Sequence, residues 1–306
     1  MKTVKLAGKG AHIDGFLTDF SLAYSNEAFF ADIIAPRKPV TKSSDLFPTY
    51  LRDNLRINDT TYTSGSAARR VTFRTGQDSF NCEEQALEDT VTDKERKNAD
   101  KPLDPEMDTV EFLTEQVNLA RENRVVNIVT DNSIITQTAN AGGDWDAVAG
   151  TPKQDIFTGI TTIQGAILRK PNHIFIPFEV AQYLSNHADY KGDRQYVKDL
   201  VEIFGLPTML WGLEVHVITT GYASGDQIGA SDPALAALWS DSVLICYINP
   251  SQSLKQITFM RTFESQSRIV LTERQNMQHC DVYQVYEEVD EKLVCAAAGY
   301  LITNCL

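Results

Sequence analysis

The clearest hydrophobic period in the chain lies between residues 105 and 135. Val110, Leu113, Val117, Ala120 and Ile128 recur at helical spacing on one face. Pro105 suits a first helical turn, and Glu106 and Asp108 follow it where the helix dipole favours negative charge. The pattern predicts a helix of about 25 residues, about 38 Å long at 1.5 Å per residue, enough to act as a strut. A second helix is predicted to start at Thr151-Pro152, as N-cap and first helical residue, with Asp155 in its first turn, and to run to about Leu168. Pro171-Asn172 breaks it. His173 to Ile176 is an apolar run of strand length, closed by Pro177. Helices are expected over "FEVAQYLSNHADY" and from Gln195 to Phe204. Strands are expected over "GLEVHVITT", "ALWSDSVLICYINP" and "LKQITFMRTF", and "DVYQVYEEVDEKLVCAAAGYLITN" reads as a hairpin turning near Asp290-Glu291. Helices and strands interleave without a strict βαβ repeat, which predicts an α+β fold.

The first 80 residues read differently. Residues 1–36 combine early lysines with the apolar patch Ala28 to Pro36 and have no strong period, as expected of an arm that packs along a surface. Residues 37–80 are polar and rich in Thr, Ser and Arg. Asp59-Thr60-Thr61-Tyr62 and Ala68 to Arg74 alternate like strands around the turn signal Thr63-Ser64-Gly65-Ser66. A long hairpin with so few core residues is marginal alone and calls for a partner surface. Residues 83–104, dense in charge, are expected to be a surface helix or a loop.

Composition narrows the function classes. The chain has 306 residues, 42% hydrophobic and 23% charged, which is the balance of a globular protein with a sizeable core. Its net charge of −13 repels phosphate backbones and argues against sequence-reading of nucleic acid. The five cysteines, at 82, 246, 280, 295 and 305, form no CxxC pair, so buried free thiols of a reducing cytoplasm are expected. No signal peptide or membrane span is expected.

No nucleophile elbow, phosphate loop, zinc-protease helix, dinucleotide fingerprint or calcium loop occurs. The five histidines, at 12, 173, 187, 216 and 279, have no short spacing that predicts a meeting, so neither a catalytic nor a metal role is expected. Asp144 and Asp146 flank Trp145 in a Gly- and Ala-rich loop. As a pair they suit a cation or acid–base work, but they fall short of the six or more oxygens of a calcium site. No ligand role is therefore expected of the loop. The arginines of the hairpin region, Arg52, Arg56, Arg69, Arg70 and Arg74, lack interleaved aromatics beyond Tyr62 and Phe73, and are expected to bridge acidic patches on a neighbouring subunit.

The order of segments resembles the major capsid proteins of tailed bacteriophages. The resemblance rests on the helix with Asp155-Ile156, the strand ending near Pro177, "YLSNHADYKGDRQYV", and "GLPTMLWGLEVHV" with its Trp211-Gly212-Leu213-Glu214-Val215 turn, followed by Leu238-Trp239-Ser240-Asp241. It implies an N-terminal arm over 1–36, an extended hairpin loop over 37–82, a peripheral domain over 83–148 and 262–306 with the spine helix at 105–135, and an axial domain over 149–261. It further implies hexamers and pentamers closing an icosahedral shell around double-stranded DNA, in a virion assembled in a host cytoplasm. Neither a cofactor nor an enzymatic activity is implied. Scaffolding, portal and decoration proteins are partners of such shells; the short N-terminus implies a separate scaffold or none. Bacterial nanocompartment shells share the fold, and a soluble α+β enzyme or ligand-binding protein with a site at Asp144, Trp145 and Asp146 is the reading from a different class.

Overall fold

The computed structural model describes residues 12–24, 29–50, 54, 56–72, 74–99, 104–147, 149–194, 202–224, 234–251 and 256–306. The chain forms two compact units. One is made of residues 1–43, 81–127 and 262–291, the other of 44–80, 128–261 and 292–306.

In the first unit the long helix, Pro105–Val129, lies where the period places it. Val110, Leu113 and Val117 are buried together with Leu17, Val91, Val270, Tyr283 and Val285. Ala120, expected on the same face, is exposed, and the buried stripe continues through Thr114, Arg121 and Glu122 instead. Polar residues can occupy it because each finds partners. The Thr114 hydroxyl meets that of Ser21 at 2.7 Å. Arg121 donates to Asp32 (2.6 Å), the Ala35 carbonyl (3.2 Å) and Thr262 (3.0 Å).

The sheet of this unit corrects two expectations. Residues 83–92 are neither helix nor loop but a ten-residue strand, Glu83–Thr92, antiparallel to the strand Cys280–Leu293 in a register from Thr92↔Cys280 to Glu83↔Val289. Its exposed acidic side chains charge the sheet edge and discourage further pairing. The short helix Asp93–Asn98 follows, closed at its start by a reciprocal capping box between Thr92 and Glu95. The Cys280–Leu293 strand runs straight through Asp290-Glu291, where a turn was expected. The turn lies instead at residues 276–279, joining it to the 16-residue strand Met260–Gln275. Local charge suggested a turn, but an arginine neutralises that charge: the partly buried Arg124 grips Glu291 with two bonds of 3.0 Å.

The arm segment is held to the same unit. Residues His12–Ile13 pair with Leu271–Thr272, and Arg37–Pro39 runs parallel to residues 262–264. Between them, the Phe30 and Ala31 amides donate to one oxygen of Glu122, at 3.1 and 2.8 Å. Burial raises the Glu122 carboxyl to about 7, against the opposing effect of those two amides and of Arg121. The folded state therefore binds this proton more tightly than the unfolded chain, so the group's contribution is complete below about pH 4.5 and declines as pH rises to about 7, by on the order of 3 kcal/mol. Glu122→Gln is expected to flatten that part of the stability profile. Melting temperatures of both proteins across pH 4.5 to 8 check it, and parallel profiles would reject the assignment.

The second unit is a mixed six-stranded sheet. Its order is Met209–Leu210, Leu213–Ile218, His173–Pro177, Val243–Cys246, Gly299–Thr303 and Thr138–Asn140. Leu213–Ile218 runs parallel to His173–Pro177, and Val243–Cys246 is antiparallel to both its neighbours. The helix Pro152–Ile167 packs on this sheet at Gly159, where a Cβ would stand 2.8 Å from Tyr300 and 2.9 Å from Ile245. Thr151 stands at its N-cap, yet its hydroxyl caps no backbone amide of the helix; it bonds the Gly142 carbonyl (3.2 Å) and the Asp155 side chain (3.4 Å). The expected helix after Pro177 divides at His187 into Phe178–Asn186 and Ala188–Arg194. Of the helix expected from Gln195 to Phe204, residues 195–201 lie outside the described residues. Glu202–Ile203 is a strand turning through Phe204 and Gly205, both at positive φ, onto Leu206–Pro207. Trp211-Gly212 likewise supplies the two positive-φ residues of a tight hairpin, pairing Leu210 with Leu213.

Candidate assembly surface

The region expected to be a hairpin is one, with its strands displaced. Ser44–Tyr50 and Thr75–Asn81 pair as a two-stranded ribbon. The segments 59–62 and 68–72, expected to be strands, have no regular structure; Arg74 is likewise irregular and Phe73 lies outside the described residues. They alternate in sequence, but an isolated polar ribbon has no hydrophobic face to hold their register. Other contacts shape the loop. Asn54 ties its two legs, donating to the Arg74 carbonyl (2.6 Å) and accepting from the Arg74 amide (2.9 Å). At its tip, Ser66 closes on the Thr63 carbonyl, with Gly65 at φ 93°.

Of the five arginines singled out, Arg52 lies outside the described residues and the other four are exposed. Arg56, Arg70 and Arg74 line a single groove of about 480 Å³ with Asn54, Asn58, Val71 and Thr72. Arg69 is not part of it and pairs with Asp59 at 3.1 Å. The Thr61 amide, donating to the same Asp59 (2.9 Å), keeps that carboxyl below its ordinary value and ionised. Ile57, Tyr62 and Val71 are exposed along the same loop. A cationic groove flanked by bare apolar side chains, on a segment with little core of its own, is built to be covered. Asn54, which shapes the groove, carries no sequence signal, since any loop asparagine looks the same.

The Asp144-Trp145-Asp146 loop is not a pocket. Trp145 is 1% exposed, its indole N–H donates to Asp155 (3.0 Å), and its amide donates to the Cys305 carbonyl (2.7 Å). Asp144 and Asp146 point to solvent and enter no three-ligand cluster among the described residues. Trp239 is buried too, its indole N–H donating to Ser242 (2.8 Å), while Asp241 accepts the Leu306 amide (2.9 Å). All five cysteines are free, and burial raises the Cys305 thiol to about 12.

Two of the histidines meet. His173 and His216, on adjacent parallel strands, bring Nδ1 of one within 3.0 Å of Nε2 of the other. Burial lowers both, His216 to about 4 with help from the neighbouring ring, and Glu214 opposes the shift. A separation of 43 residues gives no hint of this meeting; it depends on strand pairing.

No protein-family model matches the chain. The major capsid protein of Burkholderia phage BcepMu is 22% identical over 310 residues, covering 95% of this chain and 96% of that protein. A phage-related protein from Bordetella bronchiseptica superposes with a TM-score of 0.77 at 20% identity, over 97% of this chain and 99% of the other. The capsid protein of cyanophage P-SCSP1u superposes at 0.59 and 8% identity, over 92% and 89%. The chain has the phage major-capsid fold. An encapsulin from Synechococcus elongatus carries this capsid fold as well, at a TM-score of 0.55, 10% identity and 92% and 89% coverage.

Proposed function

We propose that this chain is the shell-forming subunit of a tailed phage: its copies assemble into hexamers and pentamers that close into an icosahedral shell around double-stranded DNA. The observation that carries the reading is the exposed loop from Asn54 to Arg74. It presents a groove of three arginines and bare apolar side chains, on a chain whose net charge of −13 supplies acidic surface on every other copy. The two-ended match to a phage major capsid protein supports it. The acidic balance would keep packaged DNA from adhering to the shell wall. Scaffolding, portal and decoration proteins, and assembly in a host cytoplasm, belong to the same reading. So does the division into arm, loop, peripheral and axial parts.

The test is Arg69→Glu combined with Arg70→Glu. Both side chains are exposed, so subunit stability should change by no more than about 0.5 kcal/mol. Closed shells seen by electron microscopy should fall at least about tenfold, the cost of about 1.4 kcal/mol at each contact. Unchanged shell yield with unchanged melting would remove the loop from the assembly contact. The encapsulin likeness favours a nanocompartment shell as the second reading, and nucleic-acid content of purified particles separates the two.

A further inference from the structure

Glu214 stands directly opposite His173 on the neighbouring parallel strand, and His216 follows Glu214 on the same strand face. Backbone pairing therefore sets three metal-type donors side by side. His173 Nδ1 and His216 Nε2 are 3.0 Å apart. The Glu214 carboxylate lies 3.6 Å from the first and 3.8 Å from the second. Both carboxylate distances exceed hydrogen-bond reach, so the anion faces two ring nitrogens and bonds to neither. Two donors each about 2.0–2.1 Å from one tetrahedral ion are roughly 3.3 Å apart, and the three observed edges bracket that separation. The His216 ring is held by stacking on Phe175, with centroids 4.8 Å apart and planes 20° apart. The two imidazole side chains are 15% and 17% exposed, and Glu214 is 55% exposed. The cluster is thus walled on one side and open to solvent on the other.

We propose that His173, Glu214 and His216 form a binding site for one divalent transition-metal ion, with the fourth position open. Two imidazoles and a carboxylate suit zinc, cobalt, nickel or copper better than magnesium or calcium, which prefer oxygen shells. The ion would bridge the starts of two strands separated by the helices of residues 178–194, and so staple that part of the sheet. Neutral imidazoles are the ligating form, so binding should weaken as pH falls. The site is independent of the arginine groove, so its failure would leave the shell reading untouched.

The experiment uses the full chain, stripped with a chelator and then titrated with zinc in equilibrium dialysis, with cobalt as a spectroscopic stand-in. The expected result is one ion per chain, a cobalt d–d spectrum of tetrahedral type, and a melting temperature that rises with zinc. His173→Asn with His216→Asn should abolish stoichiometric binding. Glu214→Gln, at a half-exposed position that tolerates change, should weaken it by at least about tenfold. Absence of a saturable ion in the parent chain would overturn the proposal. So would affinity unchanged in Glu214→Gln, a variant that remains readable even if the double histidine variant fails to fold.

Discussion

Replacing Glu287 by Leu is expected to destabilise the unassembled subunit by about 3–5 kcal/mol, the usual cost of removing one partner from a buried ion pair. The Glu287 side chain is fully buried. Its Oε2 accepts from Arg268 through Nε (3.2 Å) and Nη2 (3.1 Å), and from Arg37 through Nη1 (3.2 Å). Burial alone would raise this carboxyl, but Arg268, Arg37 and Arg121 outweigh it and hold it below its ordinary value. Leu fills the space but offers no acceptor. Arg268, itself buried, keeps only Asn118 among its observed side-chain acceptors, while Arg37 retains Glu264 and Asp32. Glu287→Gln keeps the shape and one acceptor and should lose less, which separates lost charge from lost shape. Because the folded state holds the carboxylate ionised, its contribution is present above the unfolded pKa and fades as pH falls below about 4.5. The gap between parent and Leu variant should therefore narrow in acid. Urea unfolding followed by circular dichroism at pH 7 and pH 4 measures both effects. A loss under 1 kcal/mol at pH 7 would show that the arginines find other partners.

The second large effect is expected at Trp145. Trp145→Ala should cost about 3–5 kcal/mol, since it empties a cavity the size of an indole in a closed site. Trp145→Phe keeps most of the apolar volume and should cost about 1–2 kcal/mol, mainly through Asp155, which loses the indole N–H at 3.0 Å and retains the Gly142 amide at 2.9 Å. The pair of substitutions distinguishes a structural plug from a ligand contact. A plug gives this graded loss of melting temperature in the absence of any ligand. Near-parental stability of both variants would restore the ligand reading of the Asp144-Trp145-Asp146 loop.

The helices at 105–129 and 152–167 and the strand at 173–177 were legible because each carries its own signal. A proline or capping residue marks the start, and an apolar period or run marks the buried side. The strand at 83–92 was not legible. Four of its ten residues are acidic and it shows no apolar alternation, and it is a strand because Cys280–Leu293 lies beside it. The same holds for Asp290-Glu291, which local chemistry marks as a turn and Arg124 makes tolerable within a strand. In the arginine loop, sequence picked out the residues but misplaced the strands, because the register of a polar ribbon is set by its base and by the Asn54 tie.

By itself, then, the sequence determined the long helix, the class of fold, the acidic charge and a loop rich in exposed arginine. All of these follow from composition or from periods spanning a few turns of chain. Only the tertiary structure decided that Arg121, Glu122, Arg268 and Glu287 are buried, that Trp145 is a plug, and that His173 and His216 touch. A charge or an imidazole is buried only where another part of the chain supplies its counter-charge or hydrogen bond. Those partners stand tens to hundreds of residues away, where no local pattern records them.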